Sequence, residues 1–257
     1  MTGKINRNLE KSYNPKRIRR IMKRLNLYSV IRRKRKYNYQ KNLPEQTAEN
    51  IMKRDFKASN INEKWCADVT EFKIDKNSRK LYLCAIIDLY DRSIVSYQVS
   101  VRNDNKLVFD TYKKAIINNQ SAKPIFHSDR GYQFTSKIFK VMLEKQGMIQ
   151  SMSRVGKCID NCVIEGWFGI IKSEMVDYRK SENLEELELE ISKYIEYYNN
   201  ERYQERYKFL SPTEVRNEAI KANHLKSEVR DYPIKVDSKI IKYYKALEKN
   251  NLAQLQM

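Results

Sequence analysis

The stretch LYLCAII at residues 81–87 constrains the fold more than any other, because a strand with no polar face must be covered on both sides. A sheet flanked by helices meets that condition. The neighbouring segments carry alternating patterns instead. WCADVTEF at 65–72 sets Trp65, Ala67 and Val69 on one face of a strand and Asp68 on the other. Residues 95–101 place Val95, Tyr97, Val99 and Val101 opposite Ser96, Gln98 and Ser100. Residues 88–92 are short enough to join these last two strands antiparallel.

Downstream the period changes. A helix is predicted over 104–118, a short strand over PIFHS at 124–128, and a helix over 135–146 that Gly147 closes. Residues 149–152 suit one more short strand. Helices return over 160–176 and over 184–198, the latter with Leu184, Leu187, Ile191, Ile195 and Tyr198 on one stripe. Three strands followed by alternating helices and strands predict an α/β fold, a mixed sheet flanked by helices.

The charge is unevenly spread. Lys and Arg number 51 against 32 Asp and Glu, a net charge of +19. Residues 1–57 hold 18 basic and 4 acidic residues, so about three quarters of the excess lies there, including Arg32, Arg33, Lys34, Arg35 and Lys36 in a row. Asn14 followed by Pro15 marks a helix start, with Ile18, Ile21, Met22 and Leu25 at helical spacing and a basic opposite face. Residues 26–57 lack sustained periodicity and read as a linker ending near Ala58. Such a segment favours a polyanion through counterion release, DNA or RNA first. The alternative is a solvated basic arm without a specific partner. No apolar run approaches the roughly 18 residues of a membrane span, and the first 30 residues lack an apolar signal core, so a soluble, intracellular protein is expected. Cys66, Cys84, Cys158 and Cys162 form no CxxC pair and the chain has two histidines, which disfavours zinc and points to reduced thiols.

Three acids stand out. Asp68 lies on the first strand, Asp129 just past the fourth within HSDRGYQF, and Glu165 on the helix that begins near Asp160. On that helix Ile164, Trp167, Ile171 and Met175 form the core stripe, and Glu165, Gly169 and Lys172 share the adjoining face. Converging carboxylates repel one another, and divalent metal resolves the conflict. Among 32 acidic residues such spacings arise readily by accident, so the spacing alone leaves each acid an ordinary solvated one. His127 reads as a hydrogen-bonded residue at a strand end, and Gly131 as the place where the backbone turns away.

The surrounding text is more specific. WCADVTEF, HSDRGYQF and SRVGKCIDNCVIEGWFGIIKSE resemble the three active-site motifs of the two-frame bacterial insertion-sequence transposases, the insertion-sequence-three family within the DDE transposase and retroviral-integrase superfamily. YIEYYNNERYQERYKFLSPTEVR at 194–216 resembles the segment closing that catalytic region, and residues 17–37 resemble the end of the helix-turn-helix before it. The likeness spans roughly residues 14–216. It implies a ribonuclease-H-like core over 58–216, a basic N-terminal segment over 1–57 with a partial helix-turn-helix and linker, and a tail over 217–257 of unknown role. It further implies Mg²⁺-dependent (or Mn²⁺-dependent) DNA cleavage and strand transfer, with Asp68, Asp129 and Glu165 as catalytic, metal-holding acids on two ions. Lys172 corresponds to a residue near the element end. His127, Gly131, Gln133 and Asn161 correspond to site-shaping positions. Arg17, Arg20 and the run from 32 to 36 are the expected backbone-phosphate contacts.

Double-stranded DNA at element ends and target, a homo-oligomer on that DNA, and a bacterial cytoplasmic, nucleoid-associated setting follow from the same resemblance. Too few residues precede Arg17 for a whole helix-turn-helix, so a first-frame partner or a truncated copy is expected. Two other readings compete: a catalytically silent DNA-binding regulator, and a ribonuclease-H-like nuclease that cleaves without joining.

Overall fold

The computed structural model describes residues 1–28, 48–74, 80–155, 158–175, 178 and 181–231. Five strands form one sheet: β1 (Lys64–Lys73), β2 (Lys80–Asp88), β3 (Ile94–Ser100), β4 (Ile125–Ser128) and β5 (Ile149–Met152). Their order is β3-β2-β1-β4-β5. The pairs β1–β2 and β2–β3 are antiparallel, while β1–β4 and β4–β5 are parallel. This is the mixed sheet that the pattern predicted, in ribonuclease-H-like arrangement.

Among the described residues, seven α-helices accompany it: α1 (Thr2–Asn8), α2 (Pro15–Arg24), α3 (Asn105–Asn118), α4 (Lys137–Lys145), α5 (Cys162–Glu174), α6 (Leu184–Asn200) and α7 (Pro212–Asp231). Side chains at the helix starts accept the otherwise unpaired first-turn amides. Asn14 accepts from Lys16, Asp104 from Leu107, Ser136 from Phe139 and Asn183 from Glu186. Gly147, at φ 73°, closes α4, with its own amide bonded to Glu144 and that of Met148 to Leu143.

Each face of the sheet has its own core, and β2 serves both. Leu83, Ala85 and Ile87 pack with Cys66, Phe72 and the α5–α6 residues Ile164, Trp167, Ile171, Leu187 and Ile191. Cys84 and Ile86 pack with Trp65, Ala67 and residues of α3, β4 and α4, among them Leu107, Tyr112, Phe126 and Phe139. That double duty is why 81–87 carries no polar face. It also means that the Asp68 face of β1 is covered by helices and is no solvent face.

Two stretches differ from expectation. Residues 48–57, read as the end of a linker, pack on the core. Met52 is buried, Glu49 O accepts from the Met152 amide, and the Lys64 ammonium binds Asp55 Oδ2 at 2.8 Å and Lys57 O at 2.6 Å. Of the α2 stripe only Ile18 is buried; Ile21 is 42% exposed and Leu25 63%. Helix α1, which has no apolar period to announce it, is held through its ends. Arg7 Nη1 and Nη2 bind the Glu214 carboxylate at 2.6 and 3.0 Å, and Gly3 lies against the Phe209 ring, where a Cβ would come within 2.7 Å.

The segment after α6 is tied to the β2–β3 turn. Arg216 Nη2 binds Asp88 Oδ2 at 2.7 Å and its Nε meets Asp91 Oδ2 at 2.8 Å, both acids being fully buried. The chain divides into two compact units, Met1–Asn217 and Glu218–Met257. Of the second, residues 218–231 are described and are helical. The basic run of Arg32, Arg33, Lys34, Arg35 and Lys36, and the tail beyond residue 231, lie outside the described residues. Among the described residues no helix is long and apolar enough to cross a membrane.

Candidate active site

The parallel pairing of β1 with β4 runs from Lys64↔Ile125 to Ala67↔Ser128. The next residue on each strand is an acid, Asp68 and Asp129, so their backbones are neighbours at about the 4.8 Å spacing of adjacent strands. Asp129 sits just beyond the carboxyl end of β4, where an α/β sheet opens its crevice. Glu165 projects from the first turn of α5. A short 3₁₀ turn, Cys158–Asn161, precedes that helix and docks it. Asn161 Nδ2 reaches Ala67 O at 3.5 Å, and the Asp160 carbonyl meets His127 Nε2 at 2.9 Å.

Electrostatics link the three acids. Burial and the neighbouring Asp129 and Glu165 push the Asp68 carboxyl well above the usual carboxylate range. Burial raises Asp129 as well, against the amide of Gly131, which donates to Asp129 Oδ1 at 2.9 Å. Glu165 is raised by burial and then by Asp129. A lysine acts on the group as well. The Lys172 ammonium bonds to Thr70 Oγ1, lies 5.1 Å from the Phe72 ring centre, and pulls Asp68 back toward ionisation.

His127, Gln133 and Asn161 are buried near these acids, and Gly131 is half-buried. Ser151 Oγ accepts the amides of Ile51 and Met52, so its proton goes to His127 Nδ1 at 2.9 Å. The His127 Nε2–H then donates to Asp160 O, leaving a neutral ring whose pKa burial lowers. This is the hydrogen-bonded strand-end role expected of it. Gln133 bonds to Asn103 and so ties the loop after β4 to the start of α3. The backbone turns at Gly131 as expected, its carbonyl accepting the Phe134 amide at 2.9 Å, but it stays outside the left-handed region, so the turn itself does not demand glycine. What it supplies is room, since a Cβ there would meet Gln133 Oε1 at 3.0 Å and Asp129 Oδ1 at 3.1 Å.

Beneath α5 lies a charged knot with no local signature in the sequence. The Asp160 carboxylate is fully buried and binds Arg54 Nε at 2.7 Å, Arg154 Nε at 2.8 Å, Arg154 Nη2 at 2.9 Å and Asn50 Nδ2 at 2.8 Å. Those hydrogen bonds, Arg154 foremost, hold its carboxyl far below the usual range. A depressed pKa contributes stability only while the acid stays ionised, so the contribution is lost as pH falls below the ordinary carboxylate value. Asp160→Asn should therefore cost about 2 kcal/mol near neutrality, as loss of hydrogen bonds to a charged group does. Urea melts at about pH 7 and about pH 3 should show the gap between variant and wild type narrowing in acid.

Among the described residues, no three His, Cys, Asp or Glu side chains are grouped tightly enough to hold a metal ion as they stand. The donor chemistry nevertheless fits a divalent cation. Asp68, Asp129 and Glu165 are hard oxygen donors under mutual repulsion, and Asn161 Oδ1 is buried beside them with no hydrogen-bond partner. Of the expected DNA contacts, Arg17 and Arg20 are exposed on α2, Arg17 lying 5.1 Å from the Tyr13 ring centre. Cys66 and Cys84 are buried free thiols and Cys162 is an exposed one.

Comparison with known proteins decides the family. The integrase core domain matches residues 58–158, and a second integrase core model matches 165–220. The putative transposase InsK for insertion sequence element IS150 of Escherichia coli K12 is 41% identical over 209 residues, 81% of this chain and 73% of that protein. The chain belongs to the insertion-sequence transposases. Within them it is of the IS3 type: transposase InsF of insertion sequence IS3A from E. coli K12 is 31% identical over 172 residues, 66% of this chain and 59% of that protein. The transposase core also shares its fold with a chain of the simian T-cell lymphotropic virus intasome, solved in complex with PP2A regulatory subunit B56 gamma. The TM-score is 0.51 over 84% of this chain and 74% of that one, at 15% identity. The transposase thus carries a retroviral-integrase-like core, with Asp68 within β1, Asp129 just past the carboxyl end of β4 and Glu165 in the first turn of α5.

Proposed function

We propose that this transposase cleaves DNA at the ends of its insertion sequence and transfers the freed 3′ ends to a target, using Asp68, Asp129 and Glu165. The observation that carries the reading is that Asp68 and Asp129 follow directly on the last β1–β4 pair, with Glu165 and Lys172 near enough to act on the Asp68 carboxyl. Mg²⁺ or Mn²⁺, as a pair of ions, would supply charge neutralisation, an activated hydroxyl and stabilisation of the leaving oxygen. Asp68 on β1 and Asp129 just past the end of β4 would hold the ions together with Glu165.

The protein's own contribution is placement. His127 and Asp160 hold α5 so that Glu165 faces the two aspartates, and Gly131 keeps the approach to Asp129 open. Lys172 would hold a phosphate near the element end. Arg17, Arg20 and the basic run at 32–36 would bind backbone phosphates and supply affinity more than sequence choice. Water serves as the first nucleophile and the freed 3′ hydroxyl as the second, with no covalent enzyme intermediate. Pairing two DNA ends calls for more than one protomer. A first-frame DNA-binding protein would be a further partner, and the reaction belongs to the bacterial cytoplasm, at the nucleoid.

Labelled element-end duplex should be nicked or joined when Mg²⁺ or Mn²⁺ is present and left intact in EDTA. Cutting that survives EDTA would overturn the reading.

A further inference from the structure

A cavity of about 630 Å³ opens among Ala48, Glu49, Asn50, Lys53, Arg130 and Arg154. Three of these six are cations and one, the exposed Glu49, is an acid. The cavity adjoins the candidate active site through the chain itself, because Arg130 follows Asp129 and its Nε donates to Ser153 O at 2.8 Å, just past β5. It therefore lies at the same carboxyl edge of the parallel strands as Asp129.

Its walls are pre-set. Asp160 grips Arg154 through two nitrogens, which fixes that guanidinium at the cavity while leaving its side chain 51% exposed. Lys53 and Arg54 are consecutive non-glycine residues in the left-handed region, at φ 45° and 68°. Asn50 Oδ1 accepts the Lys53 amide at 2.8 Å and stabilises that turn. Left-handed backbone at a lysine and an arginine costs stability that glycine would spare. The turn sends Arg54 to Asp160 and Lys53 to the cavity.

We propose that this cavity is a phosphate subsite for the DNA backbone. A phosphodiester near the one being cut would lie among Lys53, Arg130 and Arg154, so that the strand is anchored one step away from the three acids. The inference rests on DNA being the substrate, and it adds contacts outside the N-terminal basic segment. A fixed guanidinium suits the tetrahedral phosphate oxygens, and a lysine beside it adds a mobile charge.

The test uses the full chain, a fluorescein-labelled element-end duplex and anisotropy titrations across a salt series in EDTA. Lys53→Gly and Arg130→Ala should each weaken binding about fivefold at about 0.15 M salt and flatten the log–log salt slope by about 1, the signature of one lost phosphate contact. Lys53→Gly should keep or raise the melting temperature, because glycine suits the left-handed backbone; a lower melting temperature would assign Lys53 a structural part and overturn the subsite. A scan of neutral methylphosphonates along the duplex should find one linkage whose neutralisation harms wild type but not the variants.

Wild-type affinity and slope in both variants would overturn the subsite while leaving the cleavage reading intact. Weakened variants together with a metal-dependent cut that Asp129→Asn still performs would overturn the assigned chemistry and keep the subsite.

Discussion

Asp129→Asn should bind element-end DNA as tightly as wild type and cut it slower by about three orders of magnitude or more, the scale seen when one member of a concerted catalytic set is removed. The amide keeps the Oδ1 acceptor for the Gly131 amide, so the loop after β4 should hold its shape. What changes is charge. Three like charges become two, and the pair that Asp68 and Asp129 form across adjacent strands is broken. Without metal, relief of repulsion should leave the variant's melting temperature equal to wild type or a few degrees higher. Added Mg²⁺ should then raise the melting temperature of wild type more than that of the variant, because a ligand stabilises only the form that binds it. Single-turnover cleavage and paired thermal melts check both halves. Equal cutting by the two proteins would remove Asp129 from the chemistry.

Arg216→Ala should destabilise the core by about 3–5 kcal/mol, the cost of leaving buried charge without its partner. Arg216 is the shared counterion of Asp88 and Asp91, and both acids are fully buried at the β2–β3 turn. Asp88 has other partners. It accepts the amides of Asn62 and Tyr90, so the loss would also disturb the approach to β1. Burial and Asp91 already hold Asp88 up at about 6 with Arg216 in place. A raised carboxyl pKa means that stability falls as pH rises from the unfolded value through about 6. Removing the arginine should raise that pKa further and steepen the fall. The deficit of the variant should accordingly be small near pH 5 and full near pH 8, about the range over which the acid ionises. Urea melts at the two pH values would show it, and a pH-independent deficit would count against unpaired Asp88 as the cause.

The strands and long helices were legible because their burial is periodic. Residues 95–101 alternate and β3 occupies Ile94–Ser100; residues 184–198 repeat at helical spacing and α6 occupies Leu184–Asn200. Helix α1 was not legible, since TGKINRN has no apolar stripe and is held by Arg7 and Gly3 against residues more than 200 positions away. The packed state of 48–57 was hidden for a similar reason. Met52 is one apolar residue in a charged stretch, and its partners belong to the distant sheet face. At the site, Asp68, Asp129 and Glu165 were legible through the text around each acid. Their spacing would have suited many pairs of surface acids.

By itself the sequence determined the alternation of strands and helices, the double-sided burial of β2, and the three acids with their family. All of these are properties of local pattern and motif. Only the tertiary structure decided that Asp68 and Asp129 come next to each other just past the last β1–β4 pair, that Asp160 joins Arg54 to Arg154, and that Lys53 and Arg130 share a cavity. Each such contact joins residues far apart along the chain. Charge pairing leaves no period in a sequence with 51 basic and 32 acidic residues, so partners are chosen only when the sheet brings them together.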